Sequence, residues 1–336
     1  MIPHLDIPVS EPSQVGEARR AASRLATDHD LDETAVGRVA IIVTELGNNL
    51  WRHATKGRLL VGCRKTDDGC QLEVISIDSG PGMDDVSRCL RDGYSSGGTP
   101  GTGLGAVQRL STDFSVFSAA GKGTVIVSRT WVPSPSAPHA ASPRARFAHA
   151  GICLAAPGEM VSGDAWDIRI GDGKATVIVA DGLGHGPVAA EAAAEALKVF
   201  ATATGSPSAI LERAHPLMRS TRGAAVSVAE VNAKTGTITY AGAGNISGRM
   251  ISGIEDRSLM SQHGTLGVQI RKLQDVSYPW SDHSLVVLHS DGLISRWNLK
   301  DVGGLLQCDP AVVAGWLLRD FTRGHDDVTV VVLKRD

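Results

Sequence analysis

Four short stretches in the second half of the chain restrict its fold more than any others: Val161-Ser-Gly-Asp-Ala-Trp-Asp167, Val179-Ala-Asp-Gly-Leu-Gly-His-Gly186, Ser290-Asp-Gly292 and His325-Asp-Asp-Val-Thr329. Each sets an aspartate at the edge of an apolar, β-branched run, the composition of a strand. Such strands can bring their aspartates together at one end of a sheet. Carboxylates gathered there repel one another unless something positive lies between them. A pair of hard divalent cations, Mg2+ or Mn2+, meets that need, because both take oxygen ligands and keep part of their water.

The rest of this half agrees with a sheet protein. Strand patterns fall at 148–155, 166–170, 175–180, 224–231, 237–241, 248–251, 284–289 and 328–333, and helical patterns at 186–203, 207–219 and 310–320. Many short strands with a few helices imply two packed sheets with the helices outside. Residues 132–146 are rich in Pro, Ser and Ala, the composition of an extended linker. We therefore divide the chain into a domain at 1–131, a linker at 132–146 and a domain at 147–336.

The first domain has a different grammar. Residues 13–30 and 33–54 read as helices, and Val36, Val39, Val43, Leu46 and Leu50 form one apolar stripe on the second. Glu45 and Asn49 are four apart at the flank of that stripe, so they share a side of the helix. Strands at 58–63 and 71–77 lead into Asp78-Ser-Gly-Pro-Gly82, where glycine and proline end the strand and let a backbone approach a ligand. The poorly apolar segment 92–100 has the make-up of a lid. Gly101-Thr-Gly-Leu-Gly105 then runs straight into a helix, whose exposed N–H groups favour an anion. No strand precedes this glycine string, so a Rossmann dinucleotide site fails its context test. Strands at 114–117 and 123–128 complete the domain.

Composition sets outer limits. At 336 residues and 42% hydrophobic content the chain can build two cores, and a net charge of −3 with no basic stripe argues against nucleic acid. No apolar run approaches the ~20 residues that span a bilayer, and the N-terminus lacks a signal peptide's pattern, so a cytoplasmic, membrane-free protein is expected. The five cysteines form no CxxC pair and read as reduced core thiols.

Taken in order, Glu45/Asn49, Asp78-x-Gly-x-Gly82 and Gly101-x-Gly-x-Gly105 resemble the N, G1 and G2 boxes of the GHKL ATPase superfamily. Asp92-Gly-Tyr-Ser-Ser and Gly121-Lys-Gly-Thr124 make the first domain similar to the RsbT/RsbW anti-sigma serine kinases. The four aspartate stretches resemble the motif series of the PPM metal-dependent Ser/Thr phosphatases, in the branch of SpoIIE, RsbU and RsbX. The resemblance implies a two-domain α/β protein: an N-terminal GHKL (Bergerat) α/β sandwich and a C-terminal PPM-type β-sandwich flanked by helices.

It also implies roles. ATP with Mg2+ would bind the first domain, with Asn49 on the metal, Asp78 accepting from the adenine amino group, and Gly80, Gly82 and Thr124 close by. Gly101, Thr102, Gly103, Leu104 and Gly105 would wrap the phosphates, and Glu45 would be the general base for an acceptor serine. In the second domain Asp181 would bridge two Mn2+ or Mg2+ ions, aided by the Gly182 carbonyl. Asp164 would support one ion, and Asp291 and Asp326 the other, with Asp327 as rival to Asp326. Activated water would attack phosphorus in line, with no covalent enzyme intermediate. Leu183 stands where some relatives have a histidine acid, with His185 two residues on, and no arginine announces itself as a phosphate clamp. The implied partner is a STAS-domain antagonist carrying a phosphorylatable Ser/Thr, with a sigma factor or stressosome-like assembly beyond it. The rival reading leaves only the phosphatase catalytic, the first domain being an ATP-sensing or anti-sigma/STAS-binding module.

Overall fold

The computed structural model describes residues 3–66, 68–91, 103–134, 147–281 and 283–335. The stretch 92–100, read above as a lid, and 135–146 of the linker read at 132–146 lie outside them, as do Gly101 and Thr102. Two units divide the chain: Met1–Ala141 with Leu299–Arg319, and Ser142–Asn298 with Asp320–Asp336.

The first unit begins with β1 (Leu5–Pro8), α1 (Pro12–Asp28), α2 (Glu33–His53), β2 (Arg58–Thr66) and β3 (Gly69–Asp78). It continues with α3 (Val86–Cys89), α4 (Gly103–Leu110), β4 (Asp113–Ala119) and β5 (Gly123–Pro133). Asp32 starts α2 by accepting from the Ala35 amide at 2.7 Å, which satisfies one of the helix's orphan donors. The predicted stripe is real: Val39, Ile42, Val43 and Leu46 are each 0% exposed, and burying such a side chain contributes about 1.5–3 kcal/mol. They pack with Leu59, Val61, Leu72, Val74 and Ile126 on one face of an antiparallel sheet ordered β1-β2-β3-β5-β4. The edge strand β1 was not anticipated; four residues ending in proline carry too little pattern.

The second unit holds β6 (Phe147–Leu154), β7 (Asp164–Gly171), β8 (Lys174–Gly182), α5 (Pro187–Thr202), α6 (Pro207–Leu217) and β9 (Ala224–Asn232). Then come β10 (Thr237–Ala243), β11 (Ser247–Ile251), β12 (Asp256–Leu259), β13 (Gly264–Thr265), β14 (Gln269–Ile270) and β15 (Val276–Pro279). The chain ends with β16 (Leu285–His289), α7 (Pro310–Phe321) and β17 (Val328–Arg335). Two five-stranded sheets form, ordered β15-β10-β9-β8-β7 and β12-β11-β16-β17-β6. Val177, Val179, Ala229 and Tyr240 from the first meet Phe147, Met250, Val286 and Val331 from the second in one core. Trp166 lies flat on Gly151, where a Cβ would come within 2.2 Å of its indole. The alternate residues Ile178, Ala180, Val226 and Val228 pack on α5 and α6. The small residues Ala189, Ala192, Ala193 and Ala196 let α5 approach the sheet closely; all four are 0% exposed.

Most of α7, up to Arg319, belongs to the first unit. The second face of that unit's sheet shows why. Leu60, Ile75, Ile77, Val125 and Val127 are each 0% exposed, as expected of strands covered on both sides. A Cβ at Gly315 would touch Val125, Ile77 and Ile75, and Trp316 meets Phe117 edge-on at 5.1 Å between ring centroids. At the start of α7, Asp309 pairs bidentately with Arg129 of β5 at 2.7 and 2.8 Å.

Candidate active sites

In the second unit the antiparallel register of β7 and β8 sets Asp164 directly opposite Asp181. The strands close tightly there, the Gly182 amide donating to the Gly163 carbonyl at 3.1 Å. A Cβ on Gly182 would lie 2.1 Å from the Ala189 carbonyl oxygen, so only glycine lets the first turn of α5 sit on this loop. Asp291 follows β16 and Asp326 precedes β17, strands that pair with each other. Gly292 has the same need as Gly182, its Cβ position falling 2.0 Å from the Asp327 carbonyl oxygen. The Asp-Gly pairs thus permit close backbone approach beside each aspartate.

The electrostatics make Asp181 the hub. Burial, then the charges of Asp291, Asp326 and Asp327, push its carboxyl up to about 7. Asp164 is held well above the usual carboxylate range by burial and then by the charge of Asp181. It is 5% exposed, and its Oδ2 is buried with no hydrogen-bond partner. An orphaned carboxylate oxygen is costly to bury, and a cation is the kind of partner that would offset that cost. Among the described residues no three His, Cys, Asp or Glu side chains already stand close enough to cage an ion. The donor set is all oxygen, so the residues fit hard divalent cations.

The neighbouring acids divide their work. Asp327 accepts the Ala156 amide at 2.8 Å on Oδ1 and the Gly163 amide at 2.9 Å on Oδ2. Both its oxygens therefore tie the Asp164 loop to β17. Asp326 accepts only the Asp327 amide, at 2.9 Å. One feature escaped the sequence reading. Asn245, in the turn after β10, donates to Asp291 Oδ2 at 2.6 Å; an amide after Gly-Ala-Gly was the available signal. His185 is exposed and pairs with Glu159 at 2.7 Å, and Leu183 beside it is 47% exposed.

In the first unit Glu45 and Asn49 are half-buried on α2. A Cβ at Gly103 would lie 2.5 Å from Glu45 Oε2, so this carboxylate rests against the start of α4, with Leu104 and Gly105 buried behind. Asp78 ends β3 opposite Thr124 of β5. Its Oδ1 accepts the Gly80 amide at 2.7 Å, and burial raises its pKa. Thr124 is buried and shares a 2.9 Å hydrogen bond with Ser118. Gly82 has φ +71°, and a Cβ there would lie 2.2 Å from the Ala119 carbonyl oxygen. The sequence-predicted residues 45, 78, 80, 82, 103 and 124 therefore lie on α2, the β3 turn, the start of α4 and the β4–β5 hairpin, with Glu45 against Gly103 and Asp78 against Gly80 and Thr124.

Comparison with known proteins finds two matches along the chain. Residues 9–129 match the model of the histidine kinase-like ATPase domain, and residues 171–336 that of stage II sporulation protein E. The serine/threonine-protein kinase RsbT of Bacillus subtilis (strain 168) is 32% identical over 117 residues, 34% of this chain and 86% of RsbT. The phosphoserine phosphatase RsbX of the same organism is 29% identical over 183 residues, 52% of this chain and 88% of RsbX. A crystal structure of RsbX in complex with magnesium superposes with TM-score 0.50 at 23% identity, over 56% of this chain and 96% of that one. Among the described residues no helix is long and apolar enough to cross a membrane.

Proposed function

The chain belongs to the partner-switching regulators, joining a histidine kinase-like ATPase unit of the RsbT kind to a SpoIIE-type PPM phosphatase unit, and from that premise we propose that it sets the phosphorylation of a protein partner in both directions. The partner is a STAS-domain antagonist bearing phosphoserine or phosphothreonine. The observation that carries the reading is the orphaned Asp164 oxygen beside a carboxylate hub at Asp181.

For removal of phosphate, Asp181, the Gly182 carbonyl, Asp164, Asp291 and Asp326 would hold two Mg2+ or Mn2+ ions. Such ions, when bound, would supply a low-pKa water and neutralise charge on the phosphoryl oxygens. The chain's own task is to hold these oxygens in place. Asp327 does so by clamping the amides of Ala156 and Gly163, and Asn245 does so by gripping Asp291.

For addition of phosphate, Asp78 would receive the adenine amino group, Asn49 the Mg2+ of ATP, and the start of α4 the phosphates. Gly101 and Thr102 would extend that cradle. Glu45 would take the proton from the acceptor serine as its oxygen bonds to the γ-phosphorus and the bond to ADP breaks.

The test is to incubate the purified chain with its STAS partner, first with ATP-Mg2+ and then with Mn2+ and excess ADP, following phosphate on the partner. Asp181→Asn or Asp291→Asn should stop Mn2+-dependent release by a thousandfold or more, since the ions' contribution is about several kcal/mol and each ~1.4 kcal/mol is tenfold. Full activity in either variant would reject the ligand assignment. Glu45→Ala should abolish transfer while ATP still binds; unchanged partner phosphorylation would reduce the first unit to a sensing or binding module.

A further inference from the structure

A phosphoryl group entering an all-carboxylate site brings more negative charge than cations alone orient, so its non-reacting oxygens need fixed donors on the protein. Several cations described in the second unit are already committed. Arg249 pairs with Asp256, Arg169 donates to the Ala203 carbonyl, Lys174 pairs with Glu230 and Lys198 with Glu195. Arg222 is set apart by its place against the loop that carries Asp181. It stands two residues before β9, the strand that pairs with the Asp181 strand. Asp181 lies opposite Ala225 and Gly182 opposite Ala224, and the Leu183 amide donates to the Gly223 carbonyl at 3.0 Å. The backbone around Arg222 is thus stitched to the loop that carries Asp181.

The root of this side chain is rigid. The Gly223 amide donates to Thr221 Oγ1 at 3.0 Å, and that hydroxyl donates to the Met218 carbonyl at 2.7 Å. Ala224 exchanges both backbone hydrogen bonds with Leu266, at 3.0 and 2.9 Å. The head of the side chain is not held. Its residue is exposed, and among the described residues no hydrogen bond or ion pair engages the guanidinium. That guanidinium lies over the Asp181–Gly184 turn, with Nη1 3.3 Å from where a Cβ on Gly184 would be. A held backbone with a free planar fork over the loop that carries Asp181 suits an arginine that meets a phosphate.

We propose that Arg222 is the substrate-phosphate clamp of the phosphatase unit, binding two non-reacting phosphoryl oxygens from the rim of the Asp181 loop. It supplies the arginine that the motif series alone did not reveal. The inference rests on the phosphatase reading, and the experiment separates the two. A phosphoserine peptide is hydrolysed by the full chain in Mn2+, with inorganic phosphate as product inhibitor and Mn2+ binding followed by calorimetry. Losing a charged hydrogen-bond pair costs about 1.5–3 kcal/mol, so Arg222→Met should raise KM and the inhibition constant for phosphate about ten- to a hundredfold, each ~1.4 kcal/mol being tenfold. The fall in kcat should be smaller, Mn2+ affinity should hold, and Arg222→Lys should recover part of the loss. Wild-type KM and phosphate inhibition in Arg222→Met would overturn the clamp. So would a parallel fall in Mn2+ affinity, which marks a structural role, or a transfer of the whole effect to Arg323→Met, the exposed arginine near Asp326. A wild-type chain inert toward the peptide would instead remove the phosphatase reading itself.

Discussion

Each unit of this molecule buries a cluster of acids, and the two clusters are finished differently. In the first unit Arg129, 7% exposed, gives Nε to Glu73 at 2.6 Å, Nη1 to Asp113 and Asp309, and Nη2 to Asp309. Burial would raise the Glu73 carboxyl, yet the Arg129 guanidinium and His4 hold it down at about 2. In the second unit burial and then the charges of Asp291, Asp326 and Asp327 lead the influences on Asp181, and its carboxyl rises to about 7. The first cluster carries its own counter-charge and so has only structure to maintain. The second leaves its balance open, and an open balance is what a site for cations and a phosphoryl group requires.

Three experiments press on this contrast. The largest expected effect is on the closed cluster. Arg129→Met keeps the stem but strands Glu73 and Asp309 as buried carboxylates. Breaking a buried pair on one side costs about 3–5 kcal/mol. Urea unfolding should therefore lose that much in the transition of the first unit, read from peptides of β3 and β5. A loss below about 1 kcal/mol, the worth of an exposed pair, would mean the cluster is not the internally balanced network inferred. The open cluster should respond less to its protein neighbour. Asn245→Ala frees Asp291 Oδ2, and loss of such an orienting partner typically costs about ten- to a hundredfold in metal affinity. Calorimetry with Mn2+ would measure it. Unchanged affinity would mean that Asp291 does not need Asn245 to face a cation.

The same contrast explains what the sequence could reveal. Motif aspartates are legible because a strand must end where they occur and glycine follows or precedes them. The α2 stripe is legible because helical spacing is local: Val39, Val43, Leu46 and Leu50 are buried, Val36 partly so, and Ile42 joins them. Nothing local foretells Arg129: its partners lie 16, 56 and 180 positions away, and Ser-Arg-Thr at the end of β5 reads as a polar strand end. The placing of α7 on the first unit's sheet is long-range in the same way. Its one local trace is the unbroken apolar run Val125-Ile-Val127, too dense for a strand with a wet face. Asn245 and Arg222 sit in turns, where residue type says little until the partner strand is known. Cys63 and Cys70, read as unrelated thiols, meet at 2.7 Å because β2 pairs with β3; register, not spacing, brings them together.

The smallest effect expected is also the most discriminating, because the two clusters should answer pH with opposite signs. Glu73 falls from an ordinary 4.5 to about 2 in the folded chain. Its stabilisation is therefore present above 4.5 and is lost as pH falls toward 2. Asp181 rises from an ordinary 3.8 to about 7. Its protonated form favours folding, so that contribution is present below 3.8 and is lost as pH rises through 7. Without divalent ions, raising the pH from 4.5 to 8 should leave the protection of β5 amides nearly flat and erode that of β8. Hydrogen exchange corrected for its intrinsic pH dependence can follow both strands in one sample. Asp181→Asn should flatten the β8 profile. Mn2+ should do the same by a different route, since a bound cation favours the ionised carboxylate that burial and repulsion oppose. If β8 protection instead rose toward pH 8 in the metal-free chain, the aspartates would not be repelling one another. The distinction between a closed and an open charge cluster would then fail at its second half.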